Sequence, residues 1–389
     1  MRTRSTKTIR HNRAGRQSKV AHLTSVHVRS DTRVLYRECE SLVMAGYDVS
    51  LIVCDGLGND IVYGTKIIDV GSYRRNRLLR VVLGTFSIFK TALQSNAEIY
   101  HFHDPELIPV GLFLKIKGKR VVFDIHENIG GQIKMKRWLP LRKMISKLYF
   151  VFDIISIKAF HIILAEDSYA KIYNKLSKRY VIIKNMPKLT LFDKYIVPRG
   201  DKKGIFYIGV IAKERGIYHV LEALRIIKEK GIHFHFHCVG SIGTGDENKI
   251  SDKLTKYGLE ECVTFYGRLE LVKGYQYSKE CRVGVAILAP SENYKESYST
   301  KMFEYMAAGM PVVTSNFPIY KKVVETHACG ICVDPFNTQE IARAFEYLML
   351  NDEEANRMGK NGRRAVEKKY NWMIENNKML NLYEGLLKA

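Results

Sequence analysis

Two carboxylates, Glu296 and Glu304, frame the part of the chain best equipped for chemistry: Glu296-Ser297-Tyr298-Ser299-Thr300-Lys301-Met302-Phe303-Glu304, continued by Tyr305-Met306-Ala307-Ala308-Gly309-Met310-Pro311-Val312-Val313. Thr300 can cap a helix that Gly309 ends and Pro311 cannot continue, and Val312-Val313-Thr314 then reads as a buried strand. Such a helix start leaves backbone N–H groups at Ser299, Thr300 and Lys301, and these hold phosphate oxygens at the positive end of the helix dipole. Glu304 lies one turn in, where its carboxylate can accept from both hydroxyls of a ribose. Glu296 sits on the preceding loop and can reach a sugar beyond the phosphates. Read singly, Glu304 is a solvated helix glutamate. Read together, these residues describe a nucleotide-sugar site.

The elements needed to position such a site recur along the chain. Short apolar runs alternate with helical patterns, which is the rhythm of doubly wound parallel sheets. The first half predicts strands over Val20 to Val26, Val49 to Cys54, Ile99 to Phe102, Val121 to Phe123, Ile162 to Ala165 and Tyr180 to Ile183, with a helix over Leu35 to Ala45. The rhythm restarts with strands over Gly204 to Ile208, His233 to Val239, Val263 to Tyr266, Val283 to Leu288 and Val312 to Thr314, and a helix over Val220 to Lys230. With 389 residues, 46% of them apolar, two cores are expected. The predicted organisation is a basic disordered arm over 1–19, a first domain over 20–190, a linker over 191–203, a second domain over 204–370 and a last helix over 371–389. No Gly-x-Gly-x-x-Gly occurs, which disfavours a dinucleotide dehydrogenase.

The Glu296–Val313 run resembles the retaining glycosyltransferases of family 4, in which two glutamates separated by seven residues precede a Met-Ala-x-Gly-x-Pro-Val run, here Met306 to Val312. The likeness extends from about residue 21 to about residue 385. It implies the GT-B architecture: α/β, two Rossmann-like doubly wound parallel-sheet domains facing across a cleft, with the last helix crossing back to the first domain. Tyr207-Ile208-Gly209 and Lys213-Glu214-Arg215-Gly216 resemble the family's strand and diphosphate loop, which gives Gly209 and Arg215 to the donor. Many relatives carry an arginine after the first glycine; here Val210 stands there, and Lys213 or Lys301 is the candidate replacement. Val122-Phe123-Asp124-Ile125-His126-Glu127 and Tyr100-His101-Phe102-His103-Asp104-Pro105-Glu106 resemble motifs of a subgroup. By that likeness His126 approaches the donor sugar, while His103, Asp104 and Glu127 lie on the acceptor side. The first loop, His27 with Ser30-Asp31-Thr32-Arg33, lacks the family's paired glycines.

The reaction so implied moves a sugar from a nucleoside diphosphate to a glycan or lipid-linked acceptor, with retention at the anomeric carbon, as in cell-surface polysaccharide synthesis. Catalysis falls to His126, Glu296 and Arg215, and donor binding to Gly209, Arg215, Ser299, Thr300, Lys301 and Glu304. A nucleotide-sugar epimerase, a sugar phosphorylase or a catalytically silent partner in polysaccharide assembly fits the same pattern. No cofactor or metal is expected, because no Asp-x-Asp occurs. His233, His235 and His237 alternate along one strand with no fourth ligand evident, so packing is the preferred reading. Cys329-Gly330-Ile331-Cys332 has redox-like spacing and is read as a turn into a strand, with all seven cysteines reduced and the protein cytoplasmic.

Charge suggests where the protein works. The net charge is +22, and residues 1–19 carry seven Arg or Lys and no acid. A second basic segment, 134–147, interleaves Lys134, Lys136, Arg137, Arg142, Lys143 and Lys147 with Trp138, Leu141, Met144 and Ile145; Arg74, Arg75, Arg77 and Arg80 add to it. Basic residues beside apolar ones suit an anionic membrane surface. No nucleic-acid motif accompanies the charge, and nucleic acid is not an expected partner. The run Leu148 to Leu164 is broken by Asp153, Lys158 and His161 and reads as a core helix, so the chain is expected on the inner face of the cell membrane without spanning it.

Overall fold

The computed structural model describes residues 17–72, 80–126, 140–174 and 179–388. The chain divides into two compact units, Met1–Asn185 with Glu375–Ala389, and Met186–Ile374. The first holds an eight-stranded sheet ordered β3-β4-β2-β1-β5-β6-β7-β8, parallel except for β3 against β4. Its strands are β1 (Lys19–Leu23), β2 (Asp48–Val53), β3 (Asp60–Val62), β4 (Thr65–Asp69), β5 (Ile99–Phe102), β6 (Arg120–Ile125), β7 (His161–Leu164) and β8 (Tyr180–Ile182). The second unit holds a six-stranded sheet, β11-β10-β9-β12-β13-β14, parallel throughout. These strands are β9 (Gly204–Ile208), β10 (His235–Val239), β11 (Val263–Phe265), β12 (Cys281–Ala286), β13 (Val312–Ser315) and β14 (Gly330–Val333). Helices cover both sheet faces, so the central strands are buried on both sides; every residue of β5, β9, β12 and β13 is buried.

Strand order places the chemistry. In both sheets the order reverses beside the first strand, where doubly wound folds bind ligands beyond the carboxyl ends of their strands. Ile208 to Gly216 leave β9 at that point in the second unit, and Thr24 to Arg33 leave β1 in the first.

Several expectations need correction. β1 ends at Leu23 and does not run to Val26, because Asp104 Oδ2 accepts from Ser25 N at 2.7 Å, Thr24 Oγ1 at 2.7 Å and Val26 N at 3.2 Å and turns the backbone out of the sheet. The stretch 191–203 is no free linker. Phe192 and Tyr195 pack on Tyr275, and the buried Arg199 guanidinium donates to the carbonyls of Tyr195, Ser278, Cys281 and Ala308. Four carbonyl partners satisfy a buried arginine that composition alone assigns to solvent. Leu148 to Leu164 is likewise not one core helix: the Arg142–Ala159 helix stops at the extended Phe160, and β7 follows. That helix buries Asp153, Ser156 and Ile157 and exposes Leu148, Val151, Phe152 and Ile155. The hairpin β3–β4 was not anticipated.

Candidate functional site

In the second unit the site is built around the end of β9. Gly209 has φ +127°, a conformation that L side chains rarely adopt, and a Cβ there would lie 3.0 Å from Lys301 Nζ. Glycine therefore leaves the space that the Lys301 ammonium fills. The Tyr207 hydroxyl donates to Val210 O at 2.5 Å and holds the loop, and Tyr305 accepts from Ile208 N and donates to Val285 O, both at 3.2 Å. Lys213 to Arg215 form a tight turn closed by Gly216 at φ +75°.

The helix across from this loop is Thr300–Ala307. Its cap is Ser299, in an extended conformation, and Thr300 is the first helical residue; the Ser299 side chain makes no capping hydrogen bond. Glu296 closes a short helix, Glu292–Glu296, rather than lying in a loop, and is exposed. The Ser297 carbonyl accepts from the Tyr320 hydroxyl at 3.0 Å, which fixes the passage between the two helices. Ser299, Lys301 and Glu304 are buried, and Glu304 Oε2 accepts from the Tyr275 hydroxyl at 3.3 Å.

Lys301 is the cation that this geometry exposes and the sequence named only as a candidate. Its ammonium lies 5.0 Å from the centre of the Tyr207 ring. Burial and, after it, the Arg215 guanidinium lower its pKa to about 7 against the opposing pull of Glu304. Arg215 stacks over Tyr294 at 5.3 Å. Lys301, at the start of its helix, thus lies against the loop that carries Arg215, while Val210 is 46% exposed and contributes no charge. This arrangement suits an anion with several oxygens.

In the first unit His126 follows β6 directly. Its Nε2 lies 3.0 Å from Asp124 Oδ2 and 3.1 Å from His103 Nδ1. Asp124 is fully buried and paired with Arg33, whose Nε reaches Oδ2 at 2.8 Å and whose Nη2 reaches Oδ1 at 3.0 Å. Burial favours a neutral Asp124, but Arg33 and then His126 outweigh it and hold the carboxyl well below the usual range. Burial works against a charged His27 too, yet the Asp31 hydrogen bond and the Asp104 and Asp124 charges raise its pKa to about 9. The His27 and His126 rings are 5.0 Å apart.

His103 is buried, its pKa pressed to about 4 chiefly by desolvation, and it bridges His126 to His22, with His22 Nδ1 3.0 Å from His103 Nε2. It can act only through His126. Asp104 spends Oδ2 on the turn after β1, and Glu127 lies outside the described residues, as do 1–16 of the basic arm and 127–139. Arg33 and Asp124 are the site residues that sequence reasoning missed as a pair; the signal was a buried-looking aspartate inside an apolar strand. His235 and His237 hydrogen-bond Thr264 and Tyr266 at 2.8 Å each, His233 is exposed before β10, and Cys329-Gly330-Ile331-Cys332 leads into and forms β14 beside β13.

Comparison with known proteins agrees with this architecture. The fold matches sucrose-phosphate synthase from Thermosynechococcus elongatus with a TM-score of 0.75 and 18% identity, over 96% of this chain and 100% of that one. It matches Anabaena HepE, solved with UDP and glucose, with a TM-score of 0.71 and 12% identity, over 95% and 100%. The fold is GT-B. Residues 192–365, within the second unit, match the family model "Glycosyl transferases group 1". Spore coat protein SA of Bacillus subtilis is 27% identical over 188 residues, 47% of this chain and 49% of its own. The capsular polysaccharide biosynthesis glycosyltransferase CapM of Staphylococcus aureus is 24% identical over 210 residues, 51% and 50%. The chain thus aligns with about half the length of these relatives.

Proposed function

We propose that this protein is a retaining glycosyltransferase that moves a sugar from a nucleoside diphosphate to a glycan or lipid-linked acceptor during cell-surface polysaccharide assembly. The observation that carries the reading is the approach of the Lys301 side chain to Gly209 on the loop after β9, the loop that also carries Arg215, with Glu304 one turn along the same helix. Lys301 and Arg215 would hold the diphosphate and offset the charge that grows on it as the glycosidic bond breaks. Glu304 would accept from the ribose hydroxyls. Glu296 and His126 would contact the transferred sugar, His126 being oriented by Asp124 and His103. Arg215 and a protonated Lys301 would take the place of a diphosphate-bound metal in the transfer step. With no positioned nucleophile among the described residues, the acceptor would attack on the face that the diphosphate leaves, the diphosphate oxygen taking its proton.

The relatives include a capsular polysaccharide glycosyltransferase, and a fold neighbour was solved with UDP and glucose, which supports a sugar donor of this class. Among the described residues no helix is long and apolar enough to cross a membrane. The exposed Leu148, Val151, Phe152 and Ile155 beside Lys143 and Lys147 favour a peripheral site on an anionic membrane, on its cytoplasmic side. The test is release of nucleoside diphosphate from a panel of nucleotide sugars, with extracted envelope lipids and glycans as acceptors. Acceptor-dependent release that E304A abolishes supports the reading. Full activity of E304A refutes the site.

A further inference from the structure

We propose that His22, Glu38, His101 and His103 form a buried structural site for a divalent transition metal of the zinc class, which would not itself touch the substrates. The fold assembles these residues from three elements. His22 of β1 is in register with His101 of β5, and strand alternation puts His103 on the same face as His101. Glu38 comes from the Val34–Cys39 helical turn, which is widened so that Glu38 N bonds Arg33 O at 3.0 Å. Glu38 Oε2 lies 3.9 Å from His22 Nδ1, 3.9 Å from His101 Nδ1 and 4.0 Å from His103 Nε2. His22 Nδ1 and His103 Nε2 are 3.0 Å apart, and one ligand atom from each of the four residues lies within 4.8 Å of all the others.

A tetrahedral zinc with bonds of about 2.0–2.1 Å has ligand edges of about 3.3 Å. Of the six edges the His22–His103 one is already shorter, and an inward shift of the Glu38 carboxylate by roughly 0.7 Å brings its three edges to that length. The carboxylate has reason to move. All four side chains are fully buried. Arg33 Nε reaches Glu38 Oε1 at 3.0 Å but is shared with Asp124, and Glu38 Oε2 has no hydrogen-bond donor. A buried carboxylate oxygen without a donor is costly, and three imidazole nitrogens around it leave a cation as its natural complement.

Two of the three histidines have an outer contact, while His101 Nε2 has no hydrogen-bond partner. Metal-bound imidazoles direct their other nitrogen to a carboxylate or similar acceptor. His103 Nδ1 lies 3.7 Å from Asp124 Oδ2, and His22 Nε2 lies 3.4 Å from the Tyr383 hydroxyl. The same hydroxyl is 2.7 Å from His101 Nδ1 and would transfer its bond to His22 when the metal binds. Three nitrogens and one oxygen suit zinc over magnesium or calcium. A closed site of four protein ligands is structural. It would pin the Val34–Met44 helical segment and the C-terminal helix to β1 and β5, and so fix the far end of the His103–His126 contact.

The experiment uses the full chain without a histidine tag, purified and dialysed against EDTA, then analysed for metals. About one equivalent of zinc that stays with the folded protein and is released by guanidinium supports the site. Double substitution E38Q/H101N should lower the content at least tenfold, while H235Q/H237Q should leave it unchanged. Should the first variant fail to fold, the wild type still decides. Protein grown with cobalt should show the intense visible bands of a four-coordinate nitrogen and oxygen site. A folded wild-type chain that holds less than about a tenth of an equivalent, and whose melting temperature zinc does not raise, overturns the proposal.

Discussion

Replacing Lys301 by Met should separate the electrostatics of the proposed diphosphate site from its shape. Methionine preserves the buried stem and removes the ammonium. A charge-assisted contact of this kind contributes about 1.5–3 kcal/mol, so K301M should weaken nucleoside diphosphate binding by about ten- to a hundredfold. The pH dependence is the sharper test. The pKa near 7 follows from burial and from Arg215. A bound diphosphate would return it toward the ordinary lysine value, so binding above pH 7 must take up a proton. The protonated fraction of the free protein falls from about one half at pH 7 to about one in a hundred at pH 9, and affinity should fall about fiftyfold over that range. Calorimetry in two buffers of different ionisation enthalpy counts the proton directly. The unliganded protein should behave in the opposite sense. Its folded pKa is depressed below the unfolded value, so between about pH 7 and 10.5 the unfolded chain carries the proton that the folded chain lacks, and stability rises with pH by at most about 1.4 kcal/mol per unit. Both slopes should vanish in K301M. A wild-type affinity flat from pH 7 to 9, or an equal slope in the variant, refutes the assignment of Lys301 to the diphosphate.

Other perturbations follow from the same geometry. E304Q should lose one ribose acceptor and weaken nucleotide binding by about thirtyfold, near 2 kcal/mol, in a fluorescence displacement titration. R33A should leave the buried Asp124 without its arginine and with His126 as its remaining cationic partner, costing about 3 kcal/mol in chemical denaturation, whereas R33K should recover part of that loss. H126N should reduce turnover by more than tenfold while leaving the affinity for free diphosphate unchanged, since His126 is assigned to the sugar and not to the nucleotide. K143Q/K147Q should lower binding to anionic vesicles by about thirtyfold, at about 1 kcal/mol per lysine, with no effect on neutral vesicles in a sedimentation assay.

What was readable in the sequence, and what was not, follows from how each feature is encoded. Central parallel strands such as Gly204–Ile208 announce themselves because burial on both faces demands an unbroken apolar run. The β3–β4 hairpin does not: it sits at the sheet edge, half exposed, with Asp60, Lys66 and Asp69 interrupting the pattern. The Thr300–Ala307 helix and its glutamate were legible from local capping and stop signals, though the cap itself shifted to Ser299. Lys301 was harder to place. Its role depends on the space left by Gly209, a neighbour far away in sequence. The Arg33–Asp124 pair and the cluster around Glu38 are tertiary in the same way. Single histidines inside strands hinted at them, but only the register of β1 against β5 joins His22 to His101. Arg199 shows the converse, a charged residue in a Pro- and Gly-bearing stretch that the fold buries among carbonyls.

The most direct test of the account is a thermal-shift and calorimetric titration of the intact protein with UDP, GDP, ADP and CMP, each with and without EDTA. The account predicts that one nucleoside diphosphate raises the melting temperature and binds one to one, that EDTA leaves this unchanged, and that E304A abolishes it. Failure of every nucleotide to bind the folded wild type would contradict the proposed donor site and shift the weight to a catalytically silent partner.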